Sequence, residues 1–166
     1  MQMQRRTLIV ITLAVAAIVG WYLFRPERLF VNANVNESLP SQSAEKNGSS
    51  GAAPMRLEAG TFHSVAHKSK GTATIFKLAD GSRVLRFTDF ETSNGPDVRV
   101  YLVAAGDAVD SDTVTRAGFV ELGSLKGNIG DQNYELPSDV DLTRYKAVTI
   151  WCRRFSVNFA TAPLSE

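Results

Sequence analysis

The sequence is poor in the residues that most often carry chemistry. One cysteine in 166 residues excludes an intramolecular disulfide and any multi-cysteine zinc or iron–sulfur site. Two histidines, His63 and His67, would need a third ligand to hold a metal or a haem iron, and Cys152 is the only soft candidate. Surface or hydrogen-bonded histidines are therefore the default expectation. No Gly-x-Ser-x-Gly elbow is present, so hydrolase chemistry has no warrant. The glycines of Gly123-Ser124-Leu125-Lys126-Gly127-Asn128-Ile129-Gly130 lack both the spacing and the following helix of a phosphate-binding loop. Asp107, Asp110 and Asp112 lack the central glycine and terminal glutamate of a calcium loop. Neither charge sign dominates, because 18 Lys and Arg face 17 Asp and Glu for a formal net charge of +1, and nucleic acid is not an expected partner.

One long hydrophobic run is present. Leu8 to Phe24 carries no charge. As a helix rising ~1.5 Å per residue it covers roughly 26 Å, close to the ~30 Å of a bilayer core. Arg5 and Arg6 precede the run, and Trp21 and Tyr22 sit at its far end, where amphipathic rings prefer the membrane interface. A single-pass anchor with residues 1–7 inside and the rest of the chain on the extracytoplasmic side is expected, although Arg25 and Arg28 reduce the charge asymmetry. The rival is a cleaved signal peptide ending at Ala14-Val15-Ala16. That site leaves a short apolar stretch before it and strands Ile18 to Phe24 as a hydrophobic N-terminus. Residues 25–57, rich in Asn, Ser, Gln, Glu and Gly, are expected to be a flexible polar linker.

Residues 58–166 alternate with period two. Val98, Val100 and Leu102 share one face opposite Arg99 and Tyr101, and Val148, Ile150 and Cys152 share another opposite Thr149 and Trp151. Turn chemistry separates the strands at Asp80-Gly81, Asn94-Gly95-Pro96 and Lys126–Asp131. The expected fold is all-β, an antiparallel β-sandwich or barrel-like domain preceded by one transmembrane helix. A two-residue turn at Arg153-Arg154 pairs Cys152 with Phe155, Ile150 with Val157 and Val148 with Phe159, while a bulged continuous strand is the alternative. Both versions turn Cys152 toward the core. Asp107–Arg116, mostly small and acidic residues without an apolar stripe, is read as a loop.

From Gly60 to Leu164 the chain resembles the DM13 domain family. The resemblance rests on Gly60-Thr61-Phe62, His67 with Gly71, Leu85-Arg86-Phe87 with Phe90, and Asn94-Gly95-Pro96-Asp97 before Val100-Tyr101-Leu102. It continues through Leu122-Gly123, Leu125-Lys126-Gly127-Asn128, Gly130, Gln132, Tyr134 and Pro137 to Trp151-Cys152 and Phe155, Val157, Phe159, Ala162 and Leu164. It implies an extracytoplasmic β-domain proposed to act in electron transfer through the cysteine that corresponds to Cys152. The chain departs from the family's multidomain members in carrying no DOMON or cytochrome module, so an electron donor and acceptor must be other proteins.

Two functions follow as expectations. One is a membrane-tethered redox module in which Cys152, with His67 as an accessory candidate, cycles as a thiol or helps hold a cofactor of unknown identity. The other is a non-enzymatic binding or envelope-organising domain with Cys152 as core filler and a recognition edge built from Asn94, Gly95, Pro96, Asp97, Lys126, Gly127 and Asn128. The partner in either case is an unknown extracytoplasmic or membrane protein.

Overall fold

The computed structural model describes residues 2–24, 31–40 and 53–166. An N-terminal helix, α1 (Gln2–Phe24), is followed by strands β1 (Asn34–Asn36), β2 (Met55–Thr61), β3 (His63–Ser64), β4 (Lys70–Lys77), β5 (Arg83–Glu91) and β6 (Val98–Val103). A short helix, α2 (Ser111–Ala117), leads to β7 (Phe119–Ser124), β8 (Ile129–Leu136), β9 (Ala147–Cys152) and β10 (Val157–Pro163). The strands form two five-stranded sheets in the orders β1-β8-β5-β4-β2 and β3-β10-β9-β6-β7. All pairings are antiparallel except β1 with β8. The fold is a two-sheet sandwich, as the alternation of residues 58–166 predicts.

Between the sheets, Ile75, Leu85 and Phe87 from one side meet Val100, Leu102 and Ile150 from the other, all wholly buried. The second sheet is covered on its outer face as well. There α2 and the chain before it place Val114 and Ala108 over Tyr101, Val103 and Trp151. Double coverage explains why every residue of β9, Ala-Val-Thr-Ile-Trp-Cys, is buried. The expected loop over Asp107–Arg116 is thus a helix in part. Asp110 caps it by accepting from the Thr113 amide at 2.7 Å, and one buried side chain, Val114, suffices to dock it. A single apolar residue leaves no periodic stripe to read.

The β9–β10 register also differs from expectation. Val157, not Phe155, pairs with Cys152, and Ala160 pairs with Ile150, with a shift between Asn158 and Ala160 that leaves Phe159 as the extra residue. The turn is therefore Arg153 to Ser156, with Ser156 at φ +52, and Phe155 stands out in solvent. Arg-Arg supplies no positive φ for a two-residue turn, so the chain takes four residues.

Part of the segment expected as a polar linker lies on the sandwich; 25–30 and 41–52 fall outside the described residues. Residues 31–39 form a strap along the edge of β8, with Asn34, Val35 and Asn36 opposite Ile129, Gly130 and Asp131. Polar bonds hold it. The Glu37 carboxylate accepts from Lys126 Nζ at 2.8 and 3.0 Å and from the Asn133 amide at 2.7 Å, while Arg86 donates to the Glu37 carbonyl at 2.9 Å. Leu39 is the strap's one buried apolar side chain. Gly130, at φ +99, admits the strap, because a Cβ there would stand 2.1 Å from the Val35 carbonyl oxygen.

Candidate functional site

The strap and two loops enclose a cleft of about 690 Å³ at the end of the sandwich where β5 finishes and β6 and β8 begin. All seven residues of the predicted recognition edge, Asn94, Gly95, Pro96, Asp97, Lys126, Gly127 and Asn128, line this one cleft. Their loops are rigidly held. Gln132, wholly buried, donates from Nε2 to the Gly127 carbonyl at 2.9 Å and accepts from the Gly127 amide at 3.3 Å. The Tyr134 hydroxyl donates to Gln132 Oε1 at 2.7 Å and accepts from the Lys126 amide at 3.1 Å. Burial raises the Tyr134 pKa well above its ordinary value, so the phenol stays protonated as a donor. Asn128 ties three segments together. Its Oδ1 accepts from the Ala33 amide at 2.8 Å, and its Nδ2 donates to Asn32 Oδ1 at 3.0 Å and to the Thr92 carbonyl at 3.2 Å.

Charge gathers at one lip of the cleft. Arg99 Nε donates to Asp97 Oδ1 at 2.5 Å and Arg153 Nε to Asp97 Oδ2 at 2.9 Å, with Glu121 taking Arg99 at 3.0 Å. Burial alone would raise Asp97, but the bonds from Arg99 and Arg153 outweigh it and hold the carboxyl below its ordinary range.

Cys152 does not line the cleft but lies one strand beside it. It is wholly buried in the core between the sheets, the side that strand parity predicts, and its cross-strand partner on β6 is Val98, a lining residue of the cleft. Gly95 completes the floor. A Cβ at that position would stand 2.7 Å from Val98 Cγ2 and 3.2 Å from Phe159 Cζ.

His67 and His63 do not share a strand face, because β3 ends at Ser64 and the chain bends. His67 packs on Phe159 with ring centroids 3.8 Å apart, and neither residue lines the cleft. His63 Nε2 lies 2.9 Å from Asp107 Oδ1 on the far side of β10. Among the described residues no group of three or more His, Cys, Asp or Glu side chains could hold a metal ion.

Periodicity missed the strap's part of the site, Val31 and Ala33, along with Val98 and Arg99 of β6. The strap carries no hydrophobic alternation. The one local signal is the pair of amides, Asn32 and Asn128, that bond across 96 positions of sequence.

Helix α1 contains a stretch, Gln4–Tyr22, long and apolar enough to cross a membrane, with no residue buried against the rest of the chain. A membrane span and a signal sequence both fit it.

Comparison with known proteins gives one finding. The family model described as "Electron transfer DM13" matches residues 61–164. No curated protein and no solved structure matches the chain.

Proposed function

The chain belongs to the DM13 family, and from that premise we propose that it is a membrane-tethered electron-transfer module held on the extracytoplasmic side, with its redox site in the cleft in front of Cys152. The observation that carries this reading is the pairing of Val98 with Cys152, which sets the thiol one strand behind a cleft wide enough for a small redox-active group. A wholly buried sulfur is out of reach of thiol–disulfide exchange with another protein. In this reading it acts on the group in the cleft through Val98, the lining residue beside it on the neighbouring strand. The chain's own residues position that group: Gln132 and Tyr134 fix one wall, Asn128 and the strap fix a second, and Asp97 with its two arginines sets the charge at the lip. Behind Gly95 stands Phe159, with the tilted ring of His67 against it.

In this reading α1 is an uncleaved anchor with Arg5 and Arg6 inside, and the donor and acceptor are proteins of the same membrane or compartment. A lone thiol survives outside the reducing cytoplasm because burial shields it.

The test is a reductive titration of the full chain purified from its native membranes. A visible or near-ultraviolet band that bleaches on reduction is expected. It should be lost in Gly95→Val, which fills the cleft, while far-ultraviolet circular dichroism is retained, and its midpoint potential should shift in Cys152→Ser. Aromatic absorption alone, with no electron uptake, would sink the proposal. The complete burial of Cys152 within an apolar cluster favours a second reading, a non-enzymatic binding domain with the cleft as its recognition edge. In that case Cys152→Ser lowers stability and leaves partner capture unchanged.

A further inference from the structure

We propose that Asn94-Gly95 is a site of spontaneous deamidation guarded by the docked strap, and that conversion of Asn94 to aspartate or isoaspartate keeps the strap off and the cleft open. The proposal goes beyond the electron-transfer reading and is independent of which group the cleft takes.

The polarity of the amide network gives the first argument. Asn128 is locked by backbone groups on both sides, since its Oδ1 accepts from the Ala33 amide at 2.8 Å and its Nδ2 donates to the Thr92 carbonyl at 3.2 Å. The same Nδ2 donates to Asn32 at 3.0 Å, which fixes the Asn32 side-chain oxygen as an acceptor. Asn94 then meets two acceptors, because its Nδ2 donates to the Val31 carbonyl at 3.0 Å and to Asn32 Oδ1 at 3.3 Å. Only a donor fits at this position. A carboxylate in its place would turn lone pairs toward two oxygens, and inverting Asn32 to meet it would lose the bond from Asn128. Val31 and Ala33 line the cleft, so release of this end of the strap takes away part of its wall.

The second argument is the chemistry of the dipeptide. Gly95 carries no side chain to shield its amide nitrogen, and among the described residues that amide donates to no backbone carbonyl. Once it has lost its proton to solvent base, the nitrogen attacks Asn94 Cγ. A new C–N bond closes a five-membered succinimide, the Cγ–Nδ2 bond breaks and Nδ2 leaves as ammonia. Water then opens the ring at either carbonyl, so the net change is one ammonia lost and one water gained, with no change of oxidation state. The docked strap slows the first step, because two hydrogen bonds from Nδ2 hold the rotamer of the side chain that must close the ring. The fold in turn keeps the reactive dipeptide in place. A Cβ at Gly95 would stand 2.7 Å from Val98 Cγ2, so no larger residue can shield the nitrogen without moving the cleft floor. Isoaspartate would also add a methylene to the main chain next to Gly95, at the same floor.

The test incubates the purified full chain in mildly alkaline buffer and follows amide-to-acid conversion at residue 94 by mass spectrometry, with peptide mapping to resolve it from Asn47-Gly48. Conversion is expected to be slower in the native chain than in the same chain in urea by about tenfold or more, because it waits for local opening of the strap. It should speed up in Gly130→Ala, where a Cβ would stand against the Val35 carbonyl and displace the strap. A second measurement does not depend on that variant. Asn94→Asp, made directly, should keep the circular dichroism of the sandwich but lose hydrogen-exchange protection at the Glu37 amide, which donates to the Asp131 carbonyl when the strap is docked. No conversion at 94 in native or strap-released chain would overturn the site. Equal rates in the native and urea-unfolded chain would overturn the guarding role of the strap. A Glu37 amide still protected in Asn94→Asp would overturn the consequence for the cleft.

Discussion

Gly130 carries more structural demand than any other small residue at the cleft end. Its φ of +99 alone makes a side chain costly, and the Val35 carbonyl lies where a Cβ would go. Gly130→Ala is therefore expected to cost about 2 kcal/mol or more and to release the strap, whereas Gly81→Ala, at φ +85 over open space, should cost only about 1 kcal/mol. Urea unfolding of both variants, with hydrogen exchange at the Glu37 amide, which donates to the Asp131 carbonyl, separates the two effects. Glu37 adds a pH dependence. Burial alone would raise its pKa, but the Lys126 bond and the Asn133 amide outweigh it and hold it below the ordinary glutamate value. A depressed carboxyl stabilises the strap fully above its unfolded pKa and ceases to as pH falls through the lower, folded one. Protection of the strap amides should therefore decline on acidification below the ordinary glutamate range, and Glu37→Gln should flatten that dependence. Cys152→Ser replaces a weak donor with a hydroxyl in an apolar core and should cost about 1–3 kcal/mol by chemical denaturation. The inward direction of Cys152 was legible from alternation, because strand parity is blind to turn details. Its neighbourhood to the cleft was not, because that depends on β6 lying beside β9.

At the scale of elements, the strap supplies the edge protection that β8 otherwise lacks. Deleting residues 31–39 exposes the unpaired side of β8 and should produce concentration-dependent self-association, measurable by sedimentation, in a chain that keeps its sandwich circular dichroism. The helix α2 is a smaller case: Asp110→Ala removes its cap and should cost about 1 kcal/mol in thermal unfolding. Both elements escaped the sequence for related reasons. The strap is stabilised by Glu37, Asn128 and backbone groups of distant partners and by a single apolar residue, Leu39, so no window of its own sequence contains the reason for its structure. Residues 111–117 likewise bury only Val114. The central strands were legible because each carries its own alternation, whereas the β9–β10 register turned on one bulged residue, Phe159, for which a regular pattern has no place.

At the scale of the whole molecule, the proposed arrangement makes the sandwich an outward-facing domain on a short leash. Protease added to intact cells should degrade residues 53–166 only after the outer envelope is opened or where the surface is accessible, and should spare them if the domain is inside. Immunoblotting against the C-terminus distinguishes the two topologies. The strap also imposes an order of events on a chain made from its N-terminus. The Ala33 amide meets its acceptor on Asn128, 95 positions later, so during synthesis the strap has nothing to bind until β8 emerges. By then α1 has long since left the ribosome. Docking of the strap is therefore a step that waits for β8, and in the proposed anchored arrangement it shortens the free chain between α1 and the sandwich and draws the domain toward the surface.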